Sequence, residues 1–180
     1  MVGLTSLFRV GPKRVASSPL ALGWAQRLAR ATMPPDADEQ EEFARVLAVG
    51  ILAAGALVYA ASTPTLFMLA RSTSWLMPPG IAVCVVGLWA TLRLGRLGMQ
   101  VGLTAAVGYT TIITFAITWL QGGVIGSGMN PIWGLVAPVV SGLVFGPVRA
   151  GFWFAVWIVG LAGFLTVQAA GVPLPPPANP

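Results

Sequence analysis

The sequence predicts an all-α integral membrane protein, a bundle of about five transmembrane helices behind a short cytoplasmic amphipathic leader. Three observations predict it. From Val46 to Pro180 the only charged side chains are Arg71, Arg93, Arg96 and Arg149, whereas a soluble domain carries charge on about a quarter of its residues. Hydrophobic residues make up 56% of the chain and the mean hydropathy is +0.82. The apolar residues come in blocks close to the ~20 helical residues that a bilayer core requires, without the alternation of barrel strands. Backbone polar groups must be paired within such a segment, which leaves helices as the spanning element.

The chain divides into a leader (1–44), a membrane bundle (45–172) and a proline-rich tail (173–180). Ser18-Pro19 reads as a helix start, with serine as N-cap and proline in the first turn. Leu20, Trp24 and Leu28 then recur every four residues, with Arg27 and Arg30 at the border of that face. Such a helix suits the inner leaflet surface; the alternatives are a helix packed on a partner domain and a disordered leader. Met33-Pro34-Pro35 ends it. Asp36 then serves as the next N-cap, with Glu39 in capping-box position, and the acids of the first turn suit the helix dipole.

Span 1 begins at Val46 and ends near Ala61, or past Pro64 at Ala70. Span 2 covers Trp75 to Leu92, with Pro78-Pro79 in the first turn, where proline is tolerated. Span 3 runs from Leu97 to Leu120, span 4 from Pro131 to Phe145, and span 5 from Ala150 to Ala170. The first apolar run lies too far from Met1 for a secretory signal and reads as an uncleaved span. The tail GVPLPPPANP is too rich in proline to continue a helix.

Arginine placement orients the bundle. With the N-terminus in the cytoplasm, Arg9, Lys13, Arg14, Arg27, Arg30, Arg45, Arg93, Arg96 and Arg149 are all inside, and only Arg71 is outside. Arg45, Arg93, Arg96 and Arg149 therefore set the topology. Five spans place the C-terminus outside, in a multi-pass protein of the inner or plasma membrane. Trp75, Trp119 and Trp133 fall at the outer boundary and read as interfacial anchors.

Composition also excludes chemistries. The net charge of +5 does not mark a nucleic-acid surface, because the basic residues stand singly at the ends of apolar runs. There is no histidine, and all five acids lie between Asp36 and Glu42, where helix capping accounts for them. Cys84 lies inside an apolar run and reads as a small buried hydrophobe. No catalytic, metal-binding or cofactor-binding constellation is visible, and the implied partners are the bilayer and other membrane helices.

Thr104, Thr111, Thr114 and Thr118 share one side of span 3. They can join helices or bond their own backbone, or line a polar path. Gly98 with Gly102, and Gly142 with Gly146, match the small-residue spacing for close helix contact. Trp153 and Trp157 lie one turn apart and suit packing against a neighbour or lipid.

The most distinctive passage is Gln121–Ala150, QGGVIGSGMNPIWGLVAPVVSGLVFGPVRA. It resembles the membrane region of bacterial class III adenylate/guanylate cyclases. There a glycine- and serine-rich outer loop leads into a tryptophan, a turn of helix with proline, and an inner loop of the "gpRrA" type. Trp133, Pro138, Pro147, Arg149 and Ala150 fall on that pattern, and the acidic leader Pro35–Glu39 is also similar. The resemblance covers roughly residues 33–172 and extends to modules that front sensor kinases.

The resemblance implies a homodimerising membrane anchor or sensory module in cyclic-nucleotide signalling. It also implies a sixth span, a connecting helix and a cyclase domain, where this sequence stops at Pro180. The cyclase's metal-binding aspartates and purine-binding residues have no counterparts here. The expected role is thus the anchor of a cyclase-like protein without the catalytic part. The alternatives are a stand-alone subunit of a channel, transporter or assembly complex, and the membrane module of a sensor kinase.

Overall fold

The computed structural model describes residues 23–33, 37–69, 74–123 and 130–172, and these are helical with short turns. Helix α1 (Gly23–Ala31) precedes α2 (Glu39–Leu69), α3 (Met77–Leu120), a 3₁₀ segment at Asn130–Leu135, α4 (Val136–Phe145) and α5 (Pro147–Ala169). Three of these helices are long and apolar enough to cross a membrane: α2, α3 and α5. The shorter apolar stretch Pro131–Phe145 joins the 3₁₀ segment to α4.

The leader helix packs on α2 through Ala25 and Ala29, both fully buried. Trp24 and Leu28 remain on its exposed side, and Arg30 Nε donates to Glu42 Oε1 at 2.6 Å. The proposed start at Ser18-Pro19, together with Leu20, lies outside the described residues. The N-cap of α2 is Asp38 rather than Asp36, which is itself outside the described residues: Asp38 Oδ1 accepts the Glu41 N–H at 2.7 Å. Glu41 then holds the third helical position, so the capping register is shifted by two residues.

Helix α2 takes the longer of its two expected extents and passes Pro64 to reach Leu69. Proline has no N–H for the preceding turn. The Thr63 hydroxyl just before it donates to the Tyr59 carbonyl at 2.8 Å.

Helix α3 has 44 residues, so a straight rod would be about 66 Å long, twice a bilayer core. Gly95 folds it instead. Its φ of 59° and ψ of −133° are non-helical, in a region that essentially only glycine enters. Residues 77–94 and 96–120 become the two arms of a hairpin, matching spans 2 and 3 of the sequence.

The arms touch backbone to backbone. A Cβ on Gly102 would lie 2.7 Å from the Gly87 Cα, and one on Gly98 would overlap the Ala90 carbonyl. The Gly98/Gly102 pair thus serves a contact within the chain. The second arm is central, and its Met99, Leu103, Ala106 and Val107 meet Ala48 and Leu52 of α2, Cys84 of the first arm, and Ala137 and Val140 of α4. Helix α5 is peripheral, and Phe164 is its one buried residue.

Candidate functional site

The described arginines of the bundle gather at one end; Arg71 lies outside the described residues. Arg45 of α2 lies beside the end of the first arm of α3, which carries Arg93. The second arm leaves from the same turn with Arg96, and Arg149 stands in the first turn of α5. Arg93, Arg96 and Arg149 are exposed.

Arg45 is not. It is 2% exposed, and its Nη2 donates to the Thr91 carbonyl at 3.0 Å and the Leu92 carbonyl at 3.4 Å. Carbonyls in the last turn of a helix lack partners within it, so a buried guanidinium here caps the arm before Gly95 turns. Thr91 is itself fully buried and returns its hydroxyl to the Gly87 carbonyl at 2.8 Å. Nε and Nη1 of Arg45 have no hydrogen-bond partner. The residue read from sequence as a boundary charge is therefore also a cross-link between α2 and α3.

Beside this junction opens a polar cleft of about 540 Å³. Asp38 and Glu41 line it from α2, Arg96 and Gln100 from the second arm, and Gly146 and Arg149 from the α4–α5 turn. Arg149 lies 4.5 Å over the Phe145 ring centroid, a cation–π distance. Neither Arg96 nor Arg149 forms an ion pair with Asp38 or Glu41 among the described residues. A second, largely apolar groove of about 570 Å³ runs on between the second arm and α5. Gln100 and Arg149 line both spaces.

The threonine row divides. Thr111, Thr114 and Thr118 are buried, and their hydroxyls donate to the carbonyls of Val107 (3.0 Å), Thr110 (2.8 Å) and Thr114 (2.7 Å). Their hydroxyl protons are turned onto their own helix. Thr104 shares their side of the helix but is exposed, because the groove toward α5 opens at its level.

The two glycines of the second pair have different roles. Gly142 faces Ala150, where an added Cβ would come within 3.2 Å of the alanine Cβ. Gly146 has open space around it and does not pack a helix; its φ of 88° makes the turn from α4 to α5. That correction follows from backbone geometry, which the spacing of two glycines does not reveal.

Trp75 and Trp133 are exposed, 63% and 67%, while Trp119 meets Phe164 edge-on at 5.8 Å. Trp157 Nε1 donates to the Pro131 carbonyl at 2.9 Å and its ring covers Gly134. Far from the arginines, the Tyr109 hydroxyl donates to the Leu76 carbonyl, and Tyr59 and Thr110 share a hydrogen bond of 2.9 Å. No motif or spacing in the sequence marks either tyrosine.

The cleft carries no motif either. The usable signal was one-turn spacing: Asp38 to Glu41, Arg96 to Gln100, and Arg149 to Trp153 each place two residues on one helical face. Among the described residues no group of three or more His, Cys, Asp or Glu side chains could hold a metal ion. Comparisons with family models, curated proteins and solved structures return no match.

Proposed function

We propose that this chain is a membrane-embedded anchoring module with five spans, its N-terminus and arginine end in the cytoplasm and its C-terminus outside. The hairpin at Gly95 supplies spans 2 and 3, and Pro131–Phe145 supplies span 4. The observation that carries the orientation is the clustering of Arg45, Arg93, Arg96 and Arg149 at one end of the bundle, as the positive-inside rule requires. The aromatic residues Tyr59, Tyr109 and Trp75 suit the opposite interface.

The role is anchoring and pairing for a signalling protein of the cyclase type. Its support is the pattern Trp133, Pro138, Pro147, Arg149 and Ala150, which falls on one unit, the 3₁₀–α4–α5 hairpin. Pairing is supported by α5, whose Phe152, Phe154, Ile158, Val159 and Leu165 are exposed. The reading as a channel or transporter subunit needs a polar path along span 3, where the hydroxyls of Thr111, Thr114 and Thr118 donate to their own backbone.

A reporter that is active only outside the cytoplasm, fused after Pro180, should be active; a silent fusion overturns the five-span topology. Differently tagged copies should co-purify from membranes. Solute flux through proteoliposomes holding only this chain would replace the anchor with the transport reading.

A further inference from the structure

The cleft at the arginine end is amphoteric. Two guanidinium groups, Arg96 and Arg149, face two carboxylates, Asp38 and Glu41, across one open space without pairing among themselves. Opposite charges that line one cleft without pairing suit a guest that carries both signs. One side of the cleft offers N–H donors in a fork that matches a phosphate, and the other offers acceptors for an ammonium.

The second space makes the guest a lipid. The groove shares Gln100 and Arg149 with the cleft and is lined further by Val101, Ala105, Phe152 and Trp153, with Thr104 on its edge. A charged cleft adjoining an apolar groove, with two residues lining both, suits a head group joined to an acyl chain. We infer that this is a site for one zwitterionic phospholipid with a primary ammonium, a phosphoethanolamine lipid of the inner leaflet. Arg96 and Arg149 take the phosphate, Asp38 and Glu41 take the ammonium, and the acyl chain lies against Phe152 and Trp153.

The chemistry separates the candidates. A phosphocholine head has the same charges but no N–H to donate to Asp38 or Glu41. A phosphoglycerol head has no cation and leaves both carboxylates facing a phosphate. Asp38 keeps one oxygen on the Glu41 N–H at 2.7 Å, so its other oxygen is the acceptor toward the guest. This assignment rests on the arginine end lying at the inner membrane surface.

The test uses the full chain in non-ionic detergent, titrated with phosphoethanolamine, phosphocholine and phosphoglycerol lipids of identical acyl chains, and with free phosphoethanolamine. Native mass spectrometry counts bound lipid. The phosphoethanolamine lipid should bind about tenfold more tightly than the other two, the worth of one charge-assisted hydrogen bond. The free head group should bind far more weakly than the lipid, because it leaves the groove empty; equal binding would mean a soluble phosphate ligand.

Arg96→Gln and Arg149→Gln should each weaken binding of all three lipids, which share the phosphate, and leave the preference in place. Glu41→Gln should shift it toward phosphoglycerol, a reversal that misfolding does not produce. Equal binding of all three lipids, or tighter phosphoglycerol binding by the unsubstituted chain, overturns the site. Retention of the chain in alkali-washed membranes is measured alongside. Loss of retention would strike the membrane reading, whereas retention without head-group preference strikes the lipid site alone.

Discussion

Arg45 reaches from α2 to the carbonyl of Thr91 in α3, a hydrogen bond of 3.0 Å between residues 46 apart in sequence. It is the deepest charged group in the described bundle, 2% exposed, and it closes the helix end from which the Gly95 turn departs. A guanidinium can serve two carbonyls from one nitrogen, here those of Thr91 and Leu92.

Arg45→Ala should therefore lower stability by about 1–3 kcal/mol, the range for leaving buried acceptors unpaired. Arg45→Lys should recover part of that loss, because an ammonium reaches the same carbonyls without the planar fork. Unfolding in mixed micelles with increasing SDS measures it. Equal stability of Arg45→Ala and the unsubstituted chain would remove the cross-link from the account.

Gly102→Ala places a Cβ 2.7 Å from both Cα and carbonyl oxygen of Gly87. The arms must separate, at about 1–3 kcal/mol for overpacking of this kind. Gly163→Ala is the control: its Cβ meets nothing within 4 Å, and alanine is the better helix former by about 0.5–1 kcal/mol. The two substitutions should move the thermal midpoint in opposite directions.

Gly95→Ala should destabilise the hairpin by about 1–3 kcal/mol, since a φ of 59° with a ψ of −133° strains any residue with a Cβ. No neighbour lies within 4 Å of that Cβ, so the cost is backbone strain alone. Gly95→Asn should behave like Gly95→Ala, because the left-handed helical region that asparagine tolerates has a positive ψ. Thermal unfolding of the purified variants decides it, and a neutral Gly95→Ala would mean the turn is not held in this geometry.

Thr111→Val keeps the shape of a side chain that is 4% exposed and loses only the bond to Val107, 3.0 Å long. The change should lie within about 0.6 kcal/mol, the mean measured even for side-chain hydrogen bonds between helices, because this hydroxyl bonds only its own helix. Proteoliposome flux should not change. A flux that falls with this substitution would give the threonine side of α3 a polar path.

Much of the architecture was legible because membrane insertion reads local properties. The apolar blocks, the helix-starting prolines and the acidic first turn of α2 each act within a few residues, and the helices stand close to where those signals put them. The site was less legible. Arg93, Arg96 and Arg149 were readable as one charged end, but the partners they face were not. Gly142 and Gly146 looked alike by spacing, and only backbone angles separate a packing residue from a turn residue.

Hydropathy and charge are summed along one segment at a time, so an all-helical, lipid-compatible chain with its arginines between apolar blocks is already legible in the sequence. Which faces meet is set by packing between helices. That packing takes Arg45 inside, sets Gly102 against Gly87, and brings Asp38, Arg96 and Arg149 around one cleft. Those outcomes depend on contacts between helices whose rotation about their axes no single segment specifies.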